Sequence, residues 1–279
     1  MLSAKQIAQY HEKGFTVMPE LLSPSEVEDA LAEIEGIMAG ATMAQHNAER
    51  METEPNQGPE GKSVRRIYEP CAYYPWFRSF SESVKILDIV EQLVGPNLFI
   101  QHSKINMKPP ILGSIVEWHQ DLTYYPHTNS DVVTLLLYLN DTDASNGCLQ
   151  VIPCVHRQRV LDHSSQGLFQ GKVTESIDAS KAIFLEGKTG TVIFMHCLTP
   201  HSSAPNLSSK PRTTLIISYR AADAFPLYLQ GRTEGQEVHA RLARGREASE
   251  ARFAFSSFPI PRFPRAVKSL YELQELSRK

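Results

Sequence analysis

A chain of 279 residues with 28 Lys and Arg against 31 Asp and Glu carries a formal charge of -3, which excludes the broad basic surface that nucleic acid or an anionic membrane attracts. Its 42% hydrophobic and 21% charged residues are those of an ordinary folded protein, and no stretch has the apolar length of a bilayer span. The opening residues are interrupted by Lys5, His11, Glu12 and Lys13, unlike the apolar core of a secretory signal. Cys71, Cys148, Cys154 and Cys197 stand singly, without the paired spacing of a zinc site or a disulfide framework. A cytoplasmic protein with reduced thiols and a small-molecule partner is the expectation, organised as one domain over residues 1–279.

In chain order, a short helix is predicted from about Ser3, then a strand over residues 15–18. Ser23-Pro24-Ser25-Glu26 opens a second helix: Ser23 can cap it, Pro24 suits its first position, and Glu26 can reach back as a capping box. Val27, Leu31, Ile34 and Met38 give that helix one apolar face. Residues 40–63 turn polar, with two Pro and three Gly, and are expected to form a long lid-like loop. Another amphipathic helix is predicted over 81–94, stopped by Gly95-Pro96, which closes a helical N-terminal part over residues 1–95.

From about residue 97 to 225 the chain changes to short β-branched and aromatic runs separated by turn residues. Strands are predicted near 98–107, 132–140, 149–152, 182–185, 191–195 and 213–220. A double-stranded β-helix, the jelly-roll barrel of the cupin type, closes such a set most simply, so the expected fold is mainly β with flanking helices. Residues 226–279 are expected to be a helical extension, with a helix near 237–249.

The segment that carries chemistry is Trp118-His119-Gln120-Asp121, where a strand runs into a turn. Residues two apart on an extended chain point the same way, so His119 and Asp121 face one side together. A third ligand is expected from another strand end, and the run over 191–195 leads into Thr199-Pro200-His201. Two histidines and one carboxylate cover one face of an octahedron and leave the other open, as non-haem Fe(II) oxygenases require for a chelating keto acid and dioxygen. The far carboxylate of 2-oxoglutarate then needs a cation. Arg212, eleven residues past His201 at the start of a β-branched run, offers the bidentate fork a carboxylate prefers. Each feature alone has a bland alternative: a His-x-Asp triplet arises by chance, and His102, His156 and His196 read equally as hydrogen-bonded core histidines. Their order and spacing within one β-rich half make the combination specific.

The run Trp118-His119-Gln120-Asp121-Leu122-Thr123-Tyr124-Tyr125-Pro126 resembles the metal-bearing segment of the phytanoyl-coenzyme A dioxygenase family. Asn146-Gly147-Cys148-Leu149-Gln150-Val151-Ile152-Pro153-Cys154-Val155-His156 is similar to a second block of that family, with Cys154 in place of the usual Gly. Tyr10-His11-Glu12-Lys13-Gly14-Phe15 resembles its opening helix and strand, so the resemblance covers most of the chain. It implies Fe(II) held by His119, Asp121 and His201, with 2-oxoglutarate and O2 as co-substrates. Arg212 would bind the distal carboxylate, supported by Ser203. Gln101 and Asn106 look like co-substrate contacts of the ectoine hydroxylase branch, and Lys108 like one of the phytanoyl branch. Leu136 stands where the phytanoyl enzyme has a tryptophan, so that enzyme's substrate is not carried over.

Asp121 keeps the carboxylate that related iron halogenases lack, which makes hydroxylation of an unactivated C–H bond the expected outcome. Tyr124, Tyr125, His127 and Arg66 are candidate substrate contacts, with buried aromatic packing as the ordinary alternative. Three other readings stay open: the same catalyst giving desaturation, cyclisation or epimerisation; a cupin-type metal enzyme without keto-acid chemistry; and a binding protein that has lost turnover.

Overall fold

Ser3 and Ser23 each start a helix by the same device. In α1 (Ala4–Lys13) the Ser3 hydroxyl accepts from the Gln6 amide, and the Gln6 side chain accepts from the Ser3 amide; Ser23 and Glu26 repeat the exchange at α2 (Pro24–Met38). Between them β1 (Phe15–Met18) leaves α1 through Gly14, at φ 85°. A Cβ there would lie 2.2 Å from the Thr199 hydroxyl, which instead donates to the Gly14 carbonyl at 2.8 Å. The end of α1 is thereby tied to the turn that delivers His201.

The computed structural model describes residues 1–111, 113–227, 238–263 and 270–278. Beyond α2 come β2 (Met51–Thr53), β3 (Val64–Tyr68), α3 (Pro70–Tyr73), α4 (Pro75–Ser81) and α5 (Val84–Val94). The long strands β4 (Leu98–Lys108), β6 (Val132–Tyr138) and β13 (Arg212–Ala221) lie side by side. With β11 (Val192–His196) and β14 (Arg241–Arg244) they belong to an eight-stranded sheet ordered β1-β11-β6-β13-β4-β3-β2, β14 pairing with β4. A second sheet joins β10 (Ile183–Leu185), β7 (Leu149–Val151), β12 (His201–Ser203) and β5 (Val116–His119) in that order. A small hairpin, β8 (Ser164–Ser165) and β9 (Leu168–Phe169), and the final helix α6 (Leu270–Leu276) complete the described elements.

The strand alternation decides what each face meets. On β6, Val133, Leu135 and Leu137 pack in one apolar cluster with Val27, Ala30 and Ile34 of α2 and Ile86, Ile89 and Val90 of α5. Leu136 and Tyr138 turn the other way, to a second cluster with Leu149 and Val151 of the smaller sheet. Two facing antiparallel sheets with helices outside the larger one are the cupin-type jelly roll expected from sequence.

Four expectations are corrected. Residues 40–63 are not a bare lid loop, because β2 forms within them and pairs with β3, Met51 opposite Ile67. The N-terminal part is not only helical, since β2 and β3 lie in it beside the expected β1. The helix expected at 81–94 is preceded by α4, and α5 itself begins at Val84. Among residues 238–249 there is no helix: Arg241 and Leu242 pair with Ile100 and Phe99, where an unoccupied stretch of β4 offers a ladder that outweighs local helix propensity. Among its described residues the C-terminal extension accordingly holds β14 and α6, and Glu237 lies outside the described residues. Cys154 keeps a left-handed φ of 70°, the conformation Gly adopts without strain, which accounts for glycine being usual there in the resembling block.

Candidate active site

Register sets the functional face of the large sheet in rows. Thr134 lies opposite Ser218 and next to His102; Leu136, Ile216, Lys104 and Tyr68 form the next row; Tyr138, Thr214, Asn106 and Arg66 the third; Arg212 and Lys108 the last. The facing sheet brings the strand ends together, with His201 directly opposite His119.

His119, Asp121 and His201 are buried, and their ligand atoms lie within 4.8 Å of one another. The Nε2 atoms of His119 and His201 each stand 3.7 Å from Asp121 Oδ1, too far for hydrogen bonds. Both rings have their other nitrogen engaged: His119 Nδ1 donates to the Glu117 carbonyl at 2.8 Å and His201 Nδ1 to the Thr199 carbonyl at 3.0 Å. The Nε2 lone pairs therefore face inward. Burial, with the neighbouring imidazole of His201, pushes His119 well below its usual pKa, and burial also lowers His201. Burial works to raise Asp121, but its electrostatic interactions with His201, Lys104 and His119 hold it down at about 2. Two neutral imidazoles and an ionised carboxylate, with no proton between them, have the donor chemistry of a divalent-metal facial triad.

The turn carrying Asp121 is locked from behind. Gln120 is fully buried; its amide nitrogen donates to the Leu198 carbonyl at 2.7 Å, and its oxygen accepts the Leu161 amide at 2.8 Å. The Thr134 hydroxyl donates to Asp121 Oδ2 at 3.0 Å, leaving Oδ1 for the centre. Neither residue was singled out from sequence, although the rigid Trp-His-Gln-Asp turn gave one signal and the inward period of β6 the other.

From the triad a cavity extends along the sheet rows, lined by Lys104, Asn106, Leu136, Ser203, Arg212 and Leu270 among others. At its far end Arg212 is 4% exposed, and its Nε has no partner among the described residues. The Thr214 hydroxyl, on the next inward position, is likewise buried and unpartnered. Buried donors of this kind call for an oxygen-rich ligand.

The other sequence candidates separate. Asn106 and Ser203 are on the wall. Lys108 is buried, but its ammonium donates to the carbonyls of Ser114, Ser203 and Ala204, at 2.6, 3.3 and 2.5 Å, so it braces the wall. Gln101 falls at the bulge between β4 and β13, off the cavity lining, with a buried unpartnered Oε1. Arg66 donates from Nε to Asn106 Oδ1 at 3.0 Å and has an unpartnered buried Nη2. Tyr124 donates to the Gly171 carbonyl with its ring 5.7 Å from that of His119, and Tyr125 packs on His102 at 4.9 Å. His127 is fully buried, its Nδ1 on the Tyr125 carbonyl at 2.7 Å, away from the wall. Lys104, Tyr271 and Leu270 were missed. Lys104 was legible, two residues before Asn106 on the same strand face.

Comparison with known proteins gives the same picture. The family described as phytanoyl-CoA dioxygenase (PhyH) matches residues 10–214. A probable alpha-ketoglutarate-dependent hypophosphite dioxygenase of Stutzerimonas stutzeri is 36% identical over 231 residues, 80% of each chain. A methylphosphonate hydroxylase of Gimesia maris is 26% identical, with 79% of this chain and 81% of that protein aligned. Among solved structures, EctD from S. alaskensis with 2-oxoglutarate and 5-hydroxyectoine superposes with a TM-score of 0.67 and 25% identity, over 81% of this chain and 78% of that one.

Proposed function

The chain belongs to the phytanoyl-CoA dioxygenase family and is an iron(II)- and 2-oxoglutarate-dependent dioxygenase, and from that premise we propose that it hydroxylates a small metabolite with the residues assembled at the triad. His119, Asp121 and His201 would hold the metal, and Arg212, with Ser203 and the Thr214 hydroxyl near it, would take the distal carboxylate of 2-oxoglutarate. Bound there, Fe(II) and 2-oxoglutarate would supply the activation of dioxygen, with one oxygen atom delivered to substrate and the other to succinate as CO2 is released.

The chain's own part is to place and to exclude. The carbonyls of Glu117 and Thr199 keep both imidazoles unprotonated at Nε2, and Thr134 orients the carboxylate. Leu136, Met195 and Ile216 make a dry flank, while Leu270 of α6 lies over the cavity. Asp121 occupies the position a halide would need, which favours hydroxylation. Residues 1–279 act as one domain on this reading, because both α1 and α6 support the site. Unpaired Cys71, Cys148 and Cys197, all buried, suit a reducing cytoplasm, and no described helix is long and apolar enough to cross a membrane.

The observation that carries the reading is the pair of inward Nε2 atoms facing an ionised carboxylate, with an arginine whose buried Nε has no partner at the other end of the same cavity. Anaerobic addition of Fe(II) and then 2-oxoglutarate should give the weak visible charge-transfer band of a chelated keto acid. The band should vanish in His119→Ala and require far more 2-oxoglutarate in Arg212→Ala. Tight iron binding without a band would sink the keto-acid reading in favour of a cupin-type metal enzyme.

A further inference from the structure

We propose that Lys104 and Arg66 form a second anion subsite beside the metal position, so that the substrate is a small oxyanion, carboxylate or phosphorus-centred, held by its charge. This rests on the reading of the triad as the iron and 2-oxoglutarate centre. Lys104 stands on the row next to Thr134, the residue bonded to Asp121, whereas Arg212 lies two rows further off. Its charge is felt by His119, Asp121 and His201 alike, and it lines the same cavity. Among the described residues its ammonium has no hydrogen-bond or ion-pair partner. Glu69, which acts on it besides Asp121, is engaged with the Ser103 amide and hydroxyl at 2.9 and 3.4 Å.

The two negative charges of 2-oxoglutarate are met by Arg212 and by the single net positive charge of Fe(II) bound to one carboxylate. Lys108 is held by three carbonyls. Arg66 shares Glu52 with Arg65, which makes the direct 2.6 Å contact, and keeps a buried Nη2 without partner. Lys104 thus lines the reaction volume with no carboxylate in direct contact, and Arg66 beside it has only a shared carboxylate and a buried Nη2 without partner, an arrangement that an entering anion would stabilise. Asn106, bonded to Arg66 Nε, lies between them on the strand face, and Tyr271 of α6 stacks on Arg66 at 4.8 Å. The helix α6, which lies outside the family-matched residues 10–214, therefore contributes to the subsite through Tyr271 and to the cavity through Leu270.

The test is calorimetric titration of the protein loaded with Zn(II), a redox-inert stand-in, and 2-oxoglutarate, using hypophosphite, methylphosphonate, propionate and the neutral propionamide. Saturable binding of at least one oxyanion and none of propionamide is expected. Lys104→Met and Arg66→Met should each weaken it by roughly ten- to a hundredfold, the value of a charge-assisted hydrogen bond, while Lys104→Arg, which keeps the charge, stays near the parent. Preference between the phosphorus anions and propionate assigns the source. Propionamide binding as well as the anions, or unchanged anion affinity in Lys104→Met, overturns the subsite. The charge-transfer band separates the two readings. A band without oxyanion binding removes only the subsite, whereas Lys104-dependent oxyanion binding without a band keeps the subsite and removes the keto-acid reading.

Discussion

Thr134 does for Asp121 what two backbone carbonyls do for the histidines. Its hydroxyl donates to Oδ2 at 3.0 Å, which fixes the carboxylate plane and reserves Oδ1, 3.7 Å from each imidazole Nε2, for the metal. Thr134→Val keeps the shape and removes the donor. Metal affinity, measured by competition with a chromogenic chelator, should fall roughly ten- to a hundredfold, with Thr134→Ser restoring most of it and all three proteins melting at similar temperatures. Equal affinity in the valine variant would mean that the carboxylate is oriented without this bond. The triad was legible in the sequence because ligand chemistry demands particular residue types at particular spacings. Thr134 was not, since nothing about a threonine in a β-branched run announces which carboxylate it will meet across the barrel. Lys108 shows the converse: its type and inward register suggested an anion contact, but three close carbonyls claim the ammonium first.

At the scale of elements, α6 is held by polar contacts. Gln274, fully buried, donates to the Gly171 carbonyl at 2.6 Å and accepts the Glu117 amide at 3.0 Å, while Glu275 pairs with Arg65 and Arg278 with Glu117. Gln274→Leu fills the space and leaves the Glu117 amide without an acceptor, while the Gly171 carbonyl keeps the Tyr124 hydroxyl, a loss of ~1–3 kcal/mol. Because the apolar clusters of the barrel are untouched, this should appear as faster hydrogen exchange and protease nicking of the C-terminal segment, with little change in overall melting. Unaltered protection of the segment would refute the docking role of this side chain. Elements were readable from sequence where local and tertiary preferences agree, as in α2 with its capping box and the wholly buried β6. They were misread where they disagree. Arg241, Leu242, Ala243 and Arg244 are good helix formers, yet they pair with β4, and Arg244 reaches Asp88 and Glu91 of α5 at 2.7 Å each. The polar residues before β3 carried no strand pattern, so β2 depends on its partner for its existence.

For the molecule as a whole, the jelly roll could be inferred because its strands alternate between helix-facing and barrel-facing residues. The electrostatic consequence of closing it could not, because it depends on burial depth. Burial lowers His102 to about 3, with Lys104 adding to it, and lowers His196 to about 3, with His156 adding to it; burial also takes His127 and His163 to about 4. In the unfolded chain each binds a proton near pH ~6.5. Between those values the unfolded state carries more protons than the folded one, so stability is present above pH ~6.5 and lost as the pH falls, at ~1.4 kcal/mol per pH unit for each histidine. Burial acts oppositely on Glu69, raising it to about 7, so this group favours folding towards acid and offsets about one histidine between pH ~4.5 and 7. These four histidines less Glu69 make three net protons and a slope of roughly 4 kcal/mol per pH unit, to which His119 and His201 add in the same direction in the metal-free protein, and this exhausts an ordinary folding free energy of ~5–15 kcal/mol within a few units. The metal-free protein should therefore unfold cooperatively at a pH of roughly 4–5 by circular dichroism. In His196→Asn, where the side-chain oxygen can still accept from the Leu198 amide, denaturant titrations across this range should show a slope shallower by ~1.4 kcal/mol per pH unit. A slope that does not change would mean that His196 titrates alike in both states and that the acid sensitivity lies in the carboxylates.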